Sequence, residues 1–249
     1  MVSIIYNDID PVSKNSHSYI MKEYENEEMP FELVKVQAEL INVTLPESIS
    51  EPAIFMSKHS SSKSIGSFTV HSEGNWSSKA ELGGIPNGLS MASPIEMLNT
   101  LMQMSKINAD GMEVTYEATH HGPHTHKKSF FAEVGGNAEV VSNQKMAGIL
   151  AKSIINSLDM GNNSNKIVIG IGGNHYASKF TKLALEKGYA FAHIMPRYYA
   201  SEISMLSQAS EMSSPKPDIA VIEWKSLSAK EREPILKELN AIGIDYERV

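Results

Sequence analysis

Residues 166–194 read KIVIGIGGNHYASKFTKLALEKGYAFAHI. Lys166–Gly170 is an apolar run of the kind buried on both faces of a parallel sheet. A glycine-rich turn follows, then a helix-like stretch to about Lys187, then a second apolar run over Tyr189–Ile194. Strand, glycine turn, helix and strand make a βαβ unit. The alternation continues toward the C-terminus. Ser201–Met212 predicts a helix, Asp218–Ile222 a strand, and Ser228–Ile242 a helix opened by a capping box of Ser228 with Glu231. The fold class predicted is α/β, with a mixed, largely parallel central sheet flanked by helices.

Toward the N-terminus the pattern is more varied. Ser3–Tyr6 reads as a short buried strand, and Asp10-Pro11 as a helix start running to about Met21. Glu32–Val36, Ala53–Met56 and Ser67–His71 are strand candidates, and Leu82–Ser90 has loop chemistry. Ser93-Pro94-Ile95-Glu96 opens a helix that ends near Asp110-Gly111. Met112–Ala118 and Ser129–Val134 alternate as strands, and the spacing from Gln144 to Leu158 is helical. The chain reads as one α/β domain over residues 1–249, with a loop- and β-rich insertion near 58–90.

Composition narrows the chemistry. The 249 residues are 41% hydrophobic, enough for a sizeable core. There is no cysteine, which excludes disulfides, thiolate zinc sites and a thiol nucleophile. A metal site would have to use His, Asp, Glu and water. No run approaches a membrane span and no secretory leader is visible, so a cytoplasmic protein is expected. The net charge of −7 weighs against nucleic acid as a partner, although local charge decides contacts.

Four of the nine histidines, His120, His121, His124 and His126, fall within seven residues, in the loop after the strand ending at Glu117. A single histidine there would read as a solvated polar loop; four point to a site at a strand end, where α/β proteins bind ligands. Imidazoles can serve as base, acid or metal ligand. Along an extended chain, His120 and His121 would point in opposite directions. The turn Gly170–His175 offers glycine amides and a helix start for an anion, but it is neither a dinucleotide fingerprint nor a P-loop. His175 in that turn could meet the first cluster across the sheet's end. His59 with Ser60–Ser62, His71 and Asn75 form a third polar group, in which Ser61 and Ser62 read as a flexible loop. No GxSxG elbow is present. His193 reads as a structural polar group, and Arg197 as an anion contact.

EATHHGP (Glu117–Pro123) and GIGGNHYASKFT (Gly170–Thr181) resemble the archaeal and plant type of D-aminoacyl-tRNA deacylase. KHSS (Lys58–Ser61), TVHSEGNW (Thr69–Trp76), NDIDPVSKN (Asn7–Asn15) and HIMPRY (His193–Tyr198) fit the same family, so the resemblance covers most of the chain. It implies hydrolysis of the ester joining a D-amino acid to the terminal ribose of tRNA. It also implies a fold related to peptidyl-tRNA hydrolases and nucleoside phosphorylases, and dependence on zinc. The positions it singles out are Glu117, His120, His121 and His175, and more loosely His59 and His71. His124 and His126 depart from the family, which usually has Ser or Thr after Gly-Pro. Asn174 stands where glycine is more common.

On this reading Glu117, His120, His121 and His175 are catalytic, with the three histidines as zinc ligands or acid/base groups. His59, His71, Gly172, Gly173, Asn174, Lys179 and Arg197 bind substrate. A His-bound zinc would activate water and polarise the ester; without metal, a histidine base with glycine N–H donors would serve. Lys58, Lys63, Lys127, Lys128, Lys179 and Lys182 are expected to form a basic rim for tRNA. The expected state is a monomer without membrane or protein partners. The alternatives are a nucleoside phosphorylase-like or peptidyl-tRNA hydrolase-like enzyme, and a non-catalytic metal- or nucleotide-binding module.

Overall fold

The structure, a computed structural model, describes residues 1–60, 66–108 and 111–249. Ser61, Ser62, Lys63 and the expected helix end at Asp110 therefore lie outside the described residues. In chain order the elements are β1 (Ser3–Tyr6), α1 (Pro11–Glu23), β2 (Glu32–Lys35), β3 (Ala53–Ser60), β4 (Ser67–His71), β5 (Gly74–Asn75), β6 (Gly88–Leu89), α2 (Pro94–Ile107), β7 (Glu113–Tyr116), β8 (Ser129–Gly136), α3 (Ala138–Val141), α4 (Gln144–Ser157), β9 (Lys166–Ile171), α5 (Ser178–Lys187), β10 (Tyr189–Met195), α6 (Met205–Glu211), β11 (Ile219–Ile222), α7 (Ala229–Ala241) and β12 (Asp245–Arg248).

Ten of these strands form two sheets, in the orders β2-β1-β3-β8-β4-β7 and β10-β9-β11-β12, while β5 and β6 pair separately. Among the described residues every pairing within the two large sheets is parallel except β4 with β8. The stretch 58–90 is β-rich as read, and β4 is an interior strand of the first sheet, between β8 and β7.

Alternation along the strands sorts the first sheet into two faces. Ile54, Met56, Phe68, Val70, Phe130, Ala132 and Val134 point into the main core, which also takes residues of α1, α2 and α4. The opposite face begins apolar, with Phe55 stacked on Phe131 at 4.6 Å, and then turns polar. Ser57 and His59 of β3, Glu133 of β8 and Thr69 and His71 of β4 share this second face by register.

In the second sheet β9 is buried on both sides. Ile169 and Ile171 meet Leu206 of α6 and Ile235 and Leu239 of α7, while Val168 faces the main core. Gly170 leaves room for Phe180 of α5, whose ring carbons would lie 2.9–3.0 Å from an added Cβ. The chain after β7 joins the sheets. The Ala118 amide donates to His175 O at 2.7 Å, Thr119 N to Ile194 O at 3.0 Å, and Ala177 N to Tyr116 O at 2.9 Å. This stitching brings residues 117–121 beside His175.

Three elements differ from expectation. Strand β3 runs on to Ser60, held against β8 through Gly136. Helix α6 starts at Met205 because Glu202 N and Met205 N bond to Tyr199 O and Glu202 O, three-residue turns that do not propagate as an α-helix. Strand β12, half-exposed and polar, had no apolar run to announce it.

Candidate active site

The site grows out of the polar half of the first sheet's second face. His59 lies next to last in β3, His71 closes β4, Glu133 lies within β8 and Glu117 follows β7. Helix α1 braces one side. Asp10 caps it by accepting from Val12 N at 2.8 Å and Ser13 N at 3.1 Å, while its other oxygen accepts from Lys58 N at 2.9 Å. The helix start is thereby tied to the strand that carries His59. His120, His121 and His175 arrive from the loops that stitch the sheets. His59, His120, His121, His175 and Glu133 line a cavity of about 460 Å³, whose other wall includes Ile9, Leu40, Ile41 and Leu82.

His120 and His121 do not diverge as an extended chain would require. His121 has φ 43°, a left-handed conformation uncommon outside glycine. The kink turns both rings the same way, with centroids 4.3 Å apart. Their Nδ1 atoms lie 2.9 Å from Ala118 O and 2.6 Å from Gly122 O. A carbonyl only accepts, so each Nδ1 carries the proton and each neutral ring keeps a bare lone pair on Nε2.

Glu117 is the convergence point. Its Oε2 lies 2.9 Å from His175 Nε2, 3.1 Å from His59 Nδ1 and 3.6 Å from His120 Nε2. Glu117 is 1% exposed, yet neither carboxylate oxygen makes a hydrogen bond. Burying a carboxylate this way is expensive unless a cation or proton offsets it. One donor atom from each of His59, Glu117, His120 and His175 lies within 4.8 Å of the others. His71, His120 and His121 form a second such group, and His71, Glu117 and Glu133 a third. These groups could hold a metal ion, and the donor types suit a borderline divalent cation in a cysteine-free chain.

The electrostatics divide the histidines into two sets. Burial lowers His120 well below the usual imidazole range, helped by the charge of His71, and it lowers His121 to about 4. Both are neutral at physiological pH. Burial would lower His71 as well, but Glu133, 3.5 Å away, overcomes it and raises His71 to about 9. Glu133 and Glu117 raise His59 in the same way against its burial. Glu133 is itself pulled far down, against its burial, by His59 and His71.

The remaining candidates fall elsewhere. Gly172 and Gly173 have φ 101° and 78°, as a tight turn requires. Their amides are already used, however, donating to Met195 O and to Ser226 Oγ at 2.8 Å each. The space above Gly172 holds Ser226 and Glu223 rather than a ligand. The expected anion cradle is therefore corrected to an internal tie between the ends of β9, β10 and β11. Asn174 is exposed. Lys179 is paired with Glu223 at 3.2 Å, Lys182 lies 3.9 Å from Glu186, and Lys127 reaches Glu47 and Glu51. Lys128 N donates to Glu51 at 3.1 Å. Of the expected basic rim, Lys58 lines the cavity. His124 and His126 pack on each other at 5.2 Å, apart from the cluster. His193 is fully buried with both ring nitrogens bonded, to Thr119 Oγ1 and Met212 O.

A family model described as D-aminoacyl-tRNA deacylase matches residues 47–247. The chain belongs to this family. A D-aminoacyl-tRNA deacylase of Ignicoccus hospitalis is 32% identical over 246 residues, covering 98% of this chain and 98% of that protein. One from Thermococcus kodakarensis is 36% identical over 197 residues, 78% of this chain and 72% of its own length. The crystal structure of a conserved protein of unknown function shares the fold, with TM-score 0.91 and 24% identity, over all of this chain and 95% of its own.

Reading the residues as a D-aminoacyl-tRNA deacylase missed Glu133. Its signal was available: a lone carboxylate in the apolar run SFFAEV, two positions from Phe131 and so on its face. Nothing in the sequence shows that His59 and Glu133 would meet at 3.6 Å, because that depends on the pairing of β3 with β8.

Proposed function

We propose that this chain hydrolyses the ester between a D-amino acid and the terminal ribose of tRNA, releasing the amino acid and free tRNA. The observation that carries this reading is the buried, unbonded Glu117 carboxylate met by three imidazoles in a cavity of about 460 Å³. His59, Glu117, His120 and His175 would hold a zinc ion. When bound, zinc lowers the pKa of a water to about 7 and polarises a carbonyl.

The protein's own groups account for the rest. Neutral His121 keeps an acceptor Nε2 on the cavity wall, suited to accept a hydrogen bond from the attacking water and orient it. The Ala118 and Gly122 carbonyls fix the His120 and His121 rings, so neither has to reorient during the reaction. The His71–Glu133 pair holds His59 in place and supplies charge behind it. The apolar wall of Ile9, Leu40, Ile41 and Leu82 suits the amino-acid side chain. A phosphorylase reading is weakened because the glycine amides that might cradle phosphate are consumed internally.

Matched D- and L-tyrosyl-tRNA test the proposal. Rapid release from the D-ester with the L-ester spared is expected; equal rates on both, or a requirement for inorganic phosphate, would refute it.

A further inference from the structure

The 3-10 turn Arg197–Tyr199 separates the histidine site from a second hollow. On one side, Tyr199 lines a small chamber of about 180 Å³ together with His120 and His121. On the other, Arg197 and Tyr198 open onto a groove of about 390 Å³ that also involves Ile203, Lys230, Glu231 and Pro234. The two hollows are rigidly related. Arg197 N donates to Gly173 O at 3.0 Å, two residues from His175, and Gly173 N is tied to Ser226, just before the helix that carries Lys230.

We propose that this groove holds the unpaired nucleotides preceding the terminal ribose of the tRNA, with a base against Tyr198 and phosphates at Arg197 and Lys230. The inference rests on the deacylase reading. Its occupant follows from charge and aromaticity. Among the described residues neither Arg197 nor Lys230 makes an ion pair, whereas Lys127, Lys179 and Lys182 are each met by a glutamate, in a chain of net charge −7. The groove's one carboxylate, Glu231, accepts the Ser228 amide at 2.6 Å in a helix cap; it feels the Arg197 charge but makes no ion pair with it. Tyr198 is 55% exposed, its ring 4.9 Å from Tyr199, and its phenol is close enough to feel Glu117. An exposed ring beside cations free of ion pairs is how proteins hold single-stranded nucleic acid, through stacking and phosphate contacts.

Binding of a small RNA hairpin that ends in an unpaired 3′ tail tests the proposal, against the same hairpin without the tail. The wild-type protein should prefer the tailed hairpin. Tyr198→Ala should weaken it by about tenfold and leave the blunt hairpin unchanged, while Tyr198→Phe, which keeps the ring, should restore affinity. Lys230→Ala should flatten the salt dependence for the tailed RNA by a slope of about 1. Equal affinity of wild type and Tyr198→Ala for the tailed hairpin, or no preference of the wild type for the tail, would overturn the groove. Binding as expected without hydrolysis of D-tyrosyl-tRNA would instead refute the deacylase reading and leave the groove standing.

Discussion

Two histidines, the buried His193 and the half-buried His120, lie either side of Thr119 and behave in opposite ways. His193 bonds Thr119 Oγ1 at 3.2 Å through Nδ1 and Met212 O at 2.9 Å through Nε2, so nothing on its ring is left to act. His120, the residue after Thr119, spends Nδ1 on Ala118 O and leaves Nε2 3.6 Å from an unbonded carboxylate, beside three further imidazoles. Burial lowers both pKa values, so the shift alone does not tell them apart. The difference is saturation: a histidine with both nitrogens bonded is structural, and one with a bare nitrogen aimed at an orphaned carboxylate is available for chemistry.

Substitutions can break that distinction. The largest effect is expected at Glu117. Glu117→Gln keeps the shape and removes the converging charge, so deacylation of D-tyrosyl-tRNA should fall at least about a hundredfold. The same substitution removes a partner that raises His59, so the His59 pKa read by NMR should fall in the variant without metal. A variant retaining full turnover would return the cluster to the structural class. His193→Ala should do the reverse. Emptying the ring's place in the interior and removing one hydrogen bond each from Thr119 Oγ1 and Met212 O, which keep Ile194 N and Ala92 N as donors, should cost about 2 kcal/mol in denaturant unfolding, with turnover per folded molecule changed only a few-fold.

A pH experiment sharpens the same contrast. His193 is lowered from 6.5 to about 4 by burial, so below pH 6.5 the unfolded chain takes up a proton that the native state refuses. Its contribution is intact above pH 6.5 and is lost as pH falls through 4, worth about 3 kcal/mol as an upper figure. His193→Gln should flatten that acid limb; an unchanged limb would show that His193 is not buried neutral. The smallest effect is expected at Lys127, which is already engaged by Glu47 and Glu51. Lys127→Ala should change kcat/KM for D-tyrosyl-tRNA by less than about twofold, the scale of a surface ion pair.

The α/β class, the parallel character of β9–β11 and most element positions were legible because apolar runs and caps are local signals. The site was legible in part. Glu117, His120 and His175 could be brought together from strand ends, but Glu133 depended on β3–β8 register. The relation of His120 to His121 depended on the positive φ at His121. The glycine turn misled because a sequence shows where backbone amides are free to approach something, not that Met195 and Ser226 of the same chain already take them. The basic rim was legible only in part for a similar reason: Lys58 lines the cavity, but Lys127 and Lys179 are paired with glutamates from elsewhere in the chain.

The central claim is that distant imidazoles and Glu117 converge to hold a cation that activates water at the ester. Its most direct test is the rate of D-tyrosyl-tRNA hydrolysis by chelator-stripped protein as zinc is added back, for the wild type and Glu117→Gln. The account predicts that the stripped wild type is inactive and recovers as zinc binds, while the variant stays inactive at the same zinc concentrations. Full activity of the stripped wild-type protein would contradict it.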